Sequence, residues 1–153
     1  MTAPARTATS TAPATSGQLA TFRLDGDLYG VEVEHVQEVL RSQQLTRVPL
    51  APTAVAGLIN LRGQVVTAIE LRERLGRPPR PEGTDAVVIV VRLHGEAVSL
   101  LVDSIADVVD VDAGDFESPP DTLEGQARDL IRGAYKLDGH LLLALDVQKA
   151  VSA

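Results

Sequence analysis

The stretch GLINLRGQVVTAIELRERLG, Gly57 to Gly76, decides how this chain is read. Leu58–Leu61 reads as a strand, Arg62-Gly63 as a turn and Val65–Leu71 as the returning strand. The rhythm then becomes helical over LRERLG, which Gly76 closes. Arg62 stands at the tip of this apolar run. A turn there asks for a polar residue, but not for a guanidinium. Arg62 is either a solvated hairpin tip or a charge held out for a partner.

The same hairpin grammar recurs on both sides of this stretch. LATFRLDGDLYGVEV places two short runs around Asp25-Gly26, a pair that accepts positive φ at both positions. Phe22 and Leu24 alternate with Thr21, Arg23 and Asp25, and Tyr29, Val31 and Val33 with Gly30, Glu32 and Glu34. This predicts a half-buried strand pair. In HVQEVLR, Val36, Val39 and Leu40 are spaced for a short helix. LTRVPLAP reads as a strand stopped by Pro49 and Pro52, and TAVAG as a helical turn ended by Gly57.

Beyond Gly76, RPPRPEGTD (Arg77–Asp85) is the best internal boundary, a Pro/Arg/Gly linker placed to divide the hairpins into two halves. AVVIVVRLHGEAVSLLVDSI follows as a hairpin turning at His94-Gly95. Its run Val87–Val91 suits a strand buried on both faces. An acidic, turn-rich segment carries one more strand. IRGAYKLDGHLLLALDV is a last hairpin around Asp138-Gly139, and VQKAVSA a short terminal helix. Four or five hairpins without a long helix or a βαβ alternation predict an all-β protein with short helices, closed into small barrels that remove strand edges.

Composition narrows the function. The 153 residues fit one domain that hides roughly 70% of its unfolded surface. Aromatics are 3% of the chain, so the core should be aliphatic. A net charge of -7 repels phosphate backbones and anionic lipid, which disfavours nucleic acid and membrane surfaces as partners. The absence of cysteine removes disulfides, thiolate metal sites and thiol nucleophiles, and fits a reducing cytoplasm. No apolar run reaches the ~18 residues of a membrane span. The N-terminal MTAPARTATSTAPATSG lacks the apolar block of a secretory signal and reads as a disordered tail over residues 1–17.

No catalytic grammar emerges. His35, His94 and His140 form no metal-spaced pair. There is no G-x-S-x-G elbow, no phosphate-binding glycine loop and no dinucleotide fingerprint. Asp103, Asp107, Asp110, Asp112 and Asp115 do not fit a calcium loop and read as an acidic solvated edge. Neither a catalytic residue, a cofactor nor a metal is expected, and a compact β domain of this kind works by binding.

The opening stretch closely resembles the hallmark of the CheW family of bacterial chemotaxis coupling proteins. Gly57, Asn60, Leu61, Arg62, Gly63, Leu71, Arg72 and Gly76 match it. The resemblance continues through YGVEVEHVQEVLR, LTRVPLAP, VVIVVRLHGEAVSLLVDSIADVVDV and IRGAYKLDGHLLLALDVQKAV, covering Gln18 to Val151. Thr67, Ala68 and Glu70 depart from the family's usual Pro, β-branched residue and Asp.

The resemblance implies two intertwined five-stranded SH3-like barrels over residues 18–151, with a hydrophobic core between them. It implies a non-catalytic cytoplasmic adaptor, recruited to membrane-associated arrays, that bridges chemoreceptors to the histidine kinase CheA. The partners it implies are the receptor's cytoplasmic tip, the kinase's regulatory domain and other CheW-like domains in rings. The receptor-facing residues would be Val36, Glu38, Gly57, Arg62 and Val108; the kinase-facing surface lies on the first barrel, with no residues assigned. Two rival readings remain: a CheW-like adaptor of a non-motility pathway, and a small-ligand or enzymatic β-barrel with a polar-lined pocket.

Overall fold

The computed structural model describes residues 17–41, 44–123 and 125–152. The tail expected over 1–17 lies outside that range apart from Gly17, which opens the first strand. In chain order the elements are β1 (Gly17–Leu24), β2 (Asp27–Glu32), β3 (Val36–Leu40), β4 (Val55–Leu61), β5 (Gln64–Glu70) and α1 (Leu71–Arg74). Then follow β6 (Val87–Leu93), β7 (Glu96–Val102), β8 (Ser104–Val111), β9 (Phe116–Glu117), α2 (Gln126–Leu130), β10 (Ile131–Leu137), β11 (His140–Leu145) and α3 (Val147–Val151).

The strands form two sheets, ordered β8-β1-β2-β11-β10-β9 and β3-β6-β7-β5-β4. The protein is mostly β, as expected, and the chain is intertwined: the first sheet takes strands from both ends of the sequence, the second from the middle. The first sheet has five full strands and a two-residue sixth, β9. Each sheet contains one parallel ladder, β2 with β11 and β5 with β7, and is otherwise antiparallel. The four hairpins β1–β2, β4–β5, β6–β7 and β10–β11 turn where the sequence places them. At Asp25-Gly26, Arg62-Gly63 and His94-Gly95 both turn residues have positive φ, the geometry whose twist matches the strands it joins.

Three apolar clusters follow from strand alternation. On β6, Val88 and Val90 point into a cluster inside the second sheet with Ile59, Ala68 and Leu101. Ile89 and Val91 point the other way, into the core between the sheets with Phe22, Leu24, Val31, Leu100 and Val102. The continuous run Val87–Val91 therefore serves two cores, as its composition predicts. Leu19, Leu28, Tyr135 and Leu142 fill the inside of the first sheet. The cores are not purely aliphatic. All four aromatics take part as pairs: Phe22 stacks on Tyr29 at 5.8 Å, and Phe116 meets Tyr135 edge-on at 5.0 Å.

Five expectations need correction. The first hairpin is buried on both faces, not one, because Leu19 and Leu28 face one core while Phe22 and Tyr29 face another. HVQEVLR is not helical. A 3-10 turn at Val33–His35 leads into β3, where pairing with β6 shifts register between Val36 and Glu38, so that Val36 faces the core between the sheets while Glu38 and Leu40 lie on the face of Val90 and Val88; tertiary pairing overrides the helical spacing. LTRVPLAP contributes only the bridge of Thr46 with Leu58, since Pro49 cannot donate to a ladder. TAVAG is no helical turn, because β4 already begins at Val55. The linker Arg77–Asp85 does not divide the sheets. It joins α1 to β6 inside the second sheet, and the chain crosses between sheets after β2 and after β7.

Candidate functional site

The second sheet leaves β3 and β4 as its two edges. Arg62 reaches from the β4–β5 turn to Glu38 on β3. Its Nη1 donates to Oε2 at 2.6 Å and its Nη2 to Oε1 at 2.7 Å. This forked pair ties the two edges that no backbone ladder joins. The Arg62 fork holds the Glu38 carboxyl below its usual range, and Glu38 in turn raises Arg62. The side chain of Arg62 remains 74% exposed. With two of five N–H donors engaged, three remain for a partner.

The backbone of Arg62 adds a second observation. Its φ of 53° lies in the left-handed region, which Asn or Gly enters more readily. Gly63 follows with φ 85°, and its N–H donates to Asn60 Oδ1 at 2.9 Å, so Asn60 serves the turn. Asp25 and His94 share this geometry at the equivalent turns, so the turn type accounts for the φ of Arg62 and the choice of a guanidinium there is what it leaves unexplained.

The other site residues fall into different places. Gly57 is a packing requirement. A Cβ there would stand 2.6 Å from Thr46 O, where the 44–48 segment crosses β4 and pairs through Thr46 and Leu58. Val36 is half-buried and packs against the core between the sheets. Val108 lies on β8, the edge of the other sheet, and is 55% exposed. The structure thus joins Glu38 to Arg62, sets Gly57 three residues before Asn60, and puts Val108 on a separate sheet. Asp107 and Asp110 share β8 with Val108, so for these two the acidic edge read from the sequence is a strand edge; Asp103 is instead clamped by Arg72 and Arg80 before β8, and Asp112 and Asp115 belong to the turn after it.

The departures from the family pattern are absorbed locally. β5 runs unbroken through Thr67 and Ala68. Glu70 caps α1 by accepting from Arg72 N at 3.3 Å, and pairs with both Nη atoms of Arg80 at 2.8 and 3.1 Å. Sequence reading missed the charged cluster this belongs to. Arg72, 7% exposed, grips Asp103 through Nε at 2.9 Å and Nη2 at 2.6 Å. Arg80 Nε donates to the same carboxylate at 3.1 Å. Arg77 reaches Asp27 at 2.5 Å and Tyr29 Oη at 3.2 Å, and Arg74 holds the last carbonyls of α3. Four arginines within ten residues were the available signal.

Depressions of about 680, 540, 400 and 260 Å³ mark the surface, and Arg62 lines none of them. Among the described residues there is no group of three or more His, Asp or Glu side chains placed to hold a metal ion.

Two intertwined sheets around a shared core, with a charged hairpin tip stapled to a facing strand edge, define a β scaffold that presents surfaces to partners. A family model described as the CheW-like domain matches residues 18–153, and the chain belongs to that family. Among its relatives, "Chemotaxis protein CheW" of Treponema pallidum is 30% identical, over 89% of this chain and 82% of that one. The protein of the same name from Bacillus subtilis is also 30% identical, over 86% of this chain and 85% of that one. The crystal structure of the scaffolding protein TtCheW from Thermoanaerobacter tengcongensis superposes with a TM-score of 0.76 at 28% identity, covering 86% of this chain and 90% of that one.

Proposed function

We propose that this chain is a non-catalytic adaptor that couples methyl-accepting chemoreceptors to the CheA histidine kinase in a chemotaxis array. The observation that carries the reading is the CheW-like match over residues 18–153, with Arg62 and Val108 exposed and Glu38 half-buried beside Arg62, at positions the resemblance assigns to receptor contact. No helix among the described residues is long and apolar enough to cross a membrane. The receptor tip would dock as a helical hairpin, its apolar face on Val108 and its carbonyls or carboxylates on the free N–H groups of Arg62.

Calorimetry of the chain against a receptor cytoplasmic-tip fragment and against the kinase regulatory domain tests this. Both are expected to bind. Val108→Asp should weaken the receptor fragment by about tenfold or more, because it sets an unpaired charge against an apolar face. Failure of both fragments to bind, or ATP turnover by the purified chain, would overturn the adaptor reading.

A further inference from the structure

The two crossovers between the sheets lead straight into edge strands. β2 ends at Glu32 in the first sheet and β3 begins at Val36 in the second. β7 ends at Val102 in the second sheet and β8 begins at Ser104 in the first, with Asp103 alone between them. The proposed docking residues Val36, Glu38 and Val108 lie on these two strands. The relation between the two halves of the surface is therefore set where the chain crosses.

β8 is held on one side only, although the buried Thr21 hydroxyl donates to Asp107 O in its middle and Ala106 and Val109 pack on the first-sheet core. It has one neighbour, β1, and their pairing shifts register between Ala20 and Phe22. Most of its residues are exposed, and only Val111 at its end is buried. Its start is held firmly. The Asp103 carboxylate accepts from Arg72, from Arg80 and, at 2.9 Å, from the N–H of Asp25; its own N–H donates to Arg23 O at 3.1 Å. Arg72 is fixed in turn by donating to Pro78 O at 2.8 Å. Val108, paired with Ala20, stands five residues further on, roughly 17 Å along the strand, and the register shift lies between it and Asp103, so slack at the anchor reaches it through that irregularity.

We propose that Asp103 is a positioning residue for the docking surface: clamped by Arg72 and Arg80, it fixes the start of β8 and so places Val108 relative to the Arg62–Glu38 pair. This rests on the receptor-docking reading above. An edge strand paired on one side only opens locally more readily than an inner strand, and a multiply bonded carboxylate at its root restricts that opening. The cluster matters to binding without touching the partner.

Hydrogen exchange and binding of the same receptor fragment test it. In Asp103→Asn, the β8 amides bonded to β1 should exchange about tenfold faster while those of β4 and β5 keep their rates. Receptor affinity should fall about tenfold, and this loss should vanish in a Val108→Ala background, because Asp103 acts through Val108. Arg80→Gln should show the same pattern more weakly and decides the matter alone if Asp103→Asn does not fold. Equal acceleration in both sheets, unchanged exchange in β8, or a loss of affinity that persists without Val108 would overturn the proposal. If the wild type binds no receptor fragment, the docking reading fails and the role in binding with it. The exchange split then shows separately whether Asp103 anchors β8.

Discussion

Arg62 and Glu38 face each other across the open side of the second sheet, two nitrogens on two oxygens at 2.6 and 2.7 Å. The pair has two possible duties, stapling β3 to the β4–β5 turn or offering a guanidinium to a partner. Exchanging the residues separates them. Arg62→Glu alone should abolish receptor-fragment binding through repulsion from Glu38 and loss of the donors. The double variant Glu38→Arg, Arg62→Glu restores the pair with reversed polarity. A contact role predicts that binding stays at least about tenfold weak in the double variant, whereas a staple role predicts recovery. Thermal melts of all three chains should stay close together, because exposed pairs contribute little to stability.

Gly57 should behave differently from Arg62, although the family pattern sets both on the receptor-facing surface. Its missing Cβ makes room for the Thr46 carbonyl. Gly57→Ala forces that backbone away and should cost about 1–3 kcal/mol in urea unfolding. Any loss of receptor binding should then track the loss of folded protein. Full stability with lost binding would make Gly57 a contact instead.

The contrast between these residues shows what the sequence could and could not disclose. Hairpins with Asp-Gly or His-Gly turns were legible because the turn residues carry a local conformational demand. β6 was legible because its unbroken Val/Ile run fits burial on both faces. β3 was not, since Val36, Val39 and Leu40 satisfy a helical spacing, and only pairing with β6 makes a strand of them. The Arg77–Asp85 linker misled for a related reason: Pro and Gly mark a loop but do not say which sheet its ends belong to. Arg62 was legible as a tip, but its partner Glu38 lies 24 residues away on another edge, and no local pattern encodes that meeting.

Ser99 is a buried hydroxyl whose side chain shares the β7 face of Ala97 and Leu101, turned into the core of the second sheet. Its Oγ has no hydrogen-bond partner. A buried, unsatisfied hydroxyl costs about 1–3 kcal/mol. Ser99→Ala should therefore raise stability by about 1 kcal/mol, read as a higher urea midpoint with an unchanged m-value. A drop in stability would mean that the hydroxyl finds a partner in solution.

Asp103 gives the chain a specific acid response. Burial pushes its carboxyl up, but the Arg72 hydrogen bonds, the Asp25 N–H and the charges of Arg72 and Arg80 more than offset this and hold it at about 2. In the unfolded chain an Asp titrates near ~3.9. The unfolded state therefore takes up this proton first, and the stabilisation, complete above roughly pH 5, is lost as pH falls towards 2. Asp103→Asn cannot titrate, so its stability should be lower at neutral pH and flatter between pH 5 and 2 than that of the wild type. Urea midpoints measured across that range check the sign. Parallel acid curves for the two proteins would show that the Arg72–Asp103–Arg80 cluster does not hold the carboxylate ionised, and that its bonds carry less of the fold than their geometry indicates.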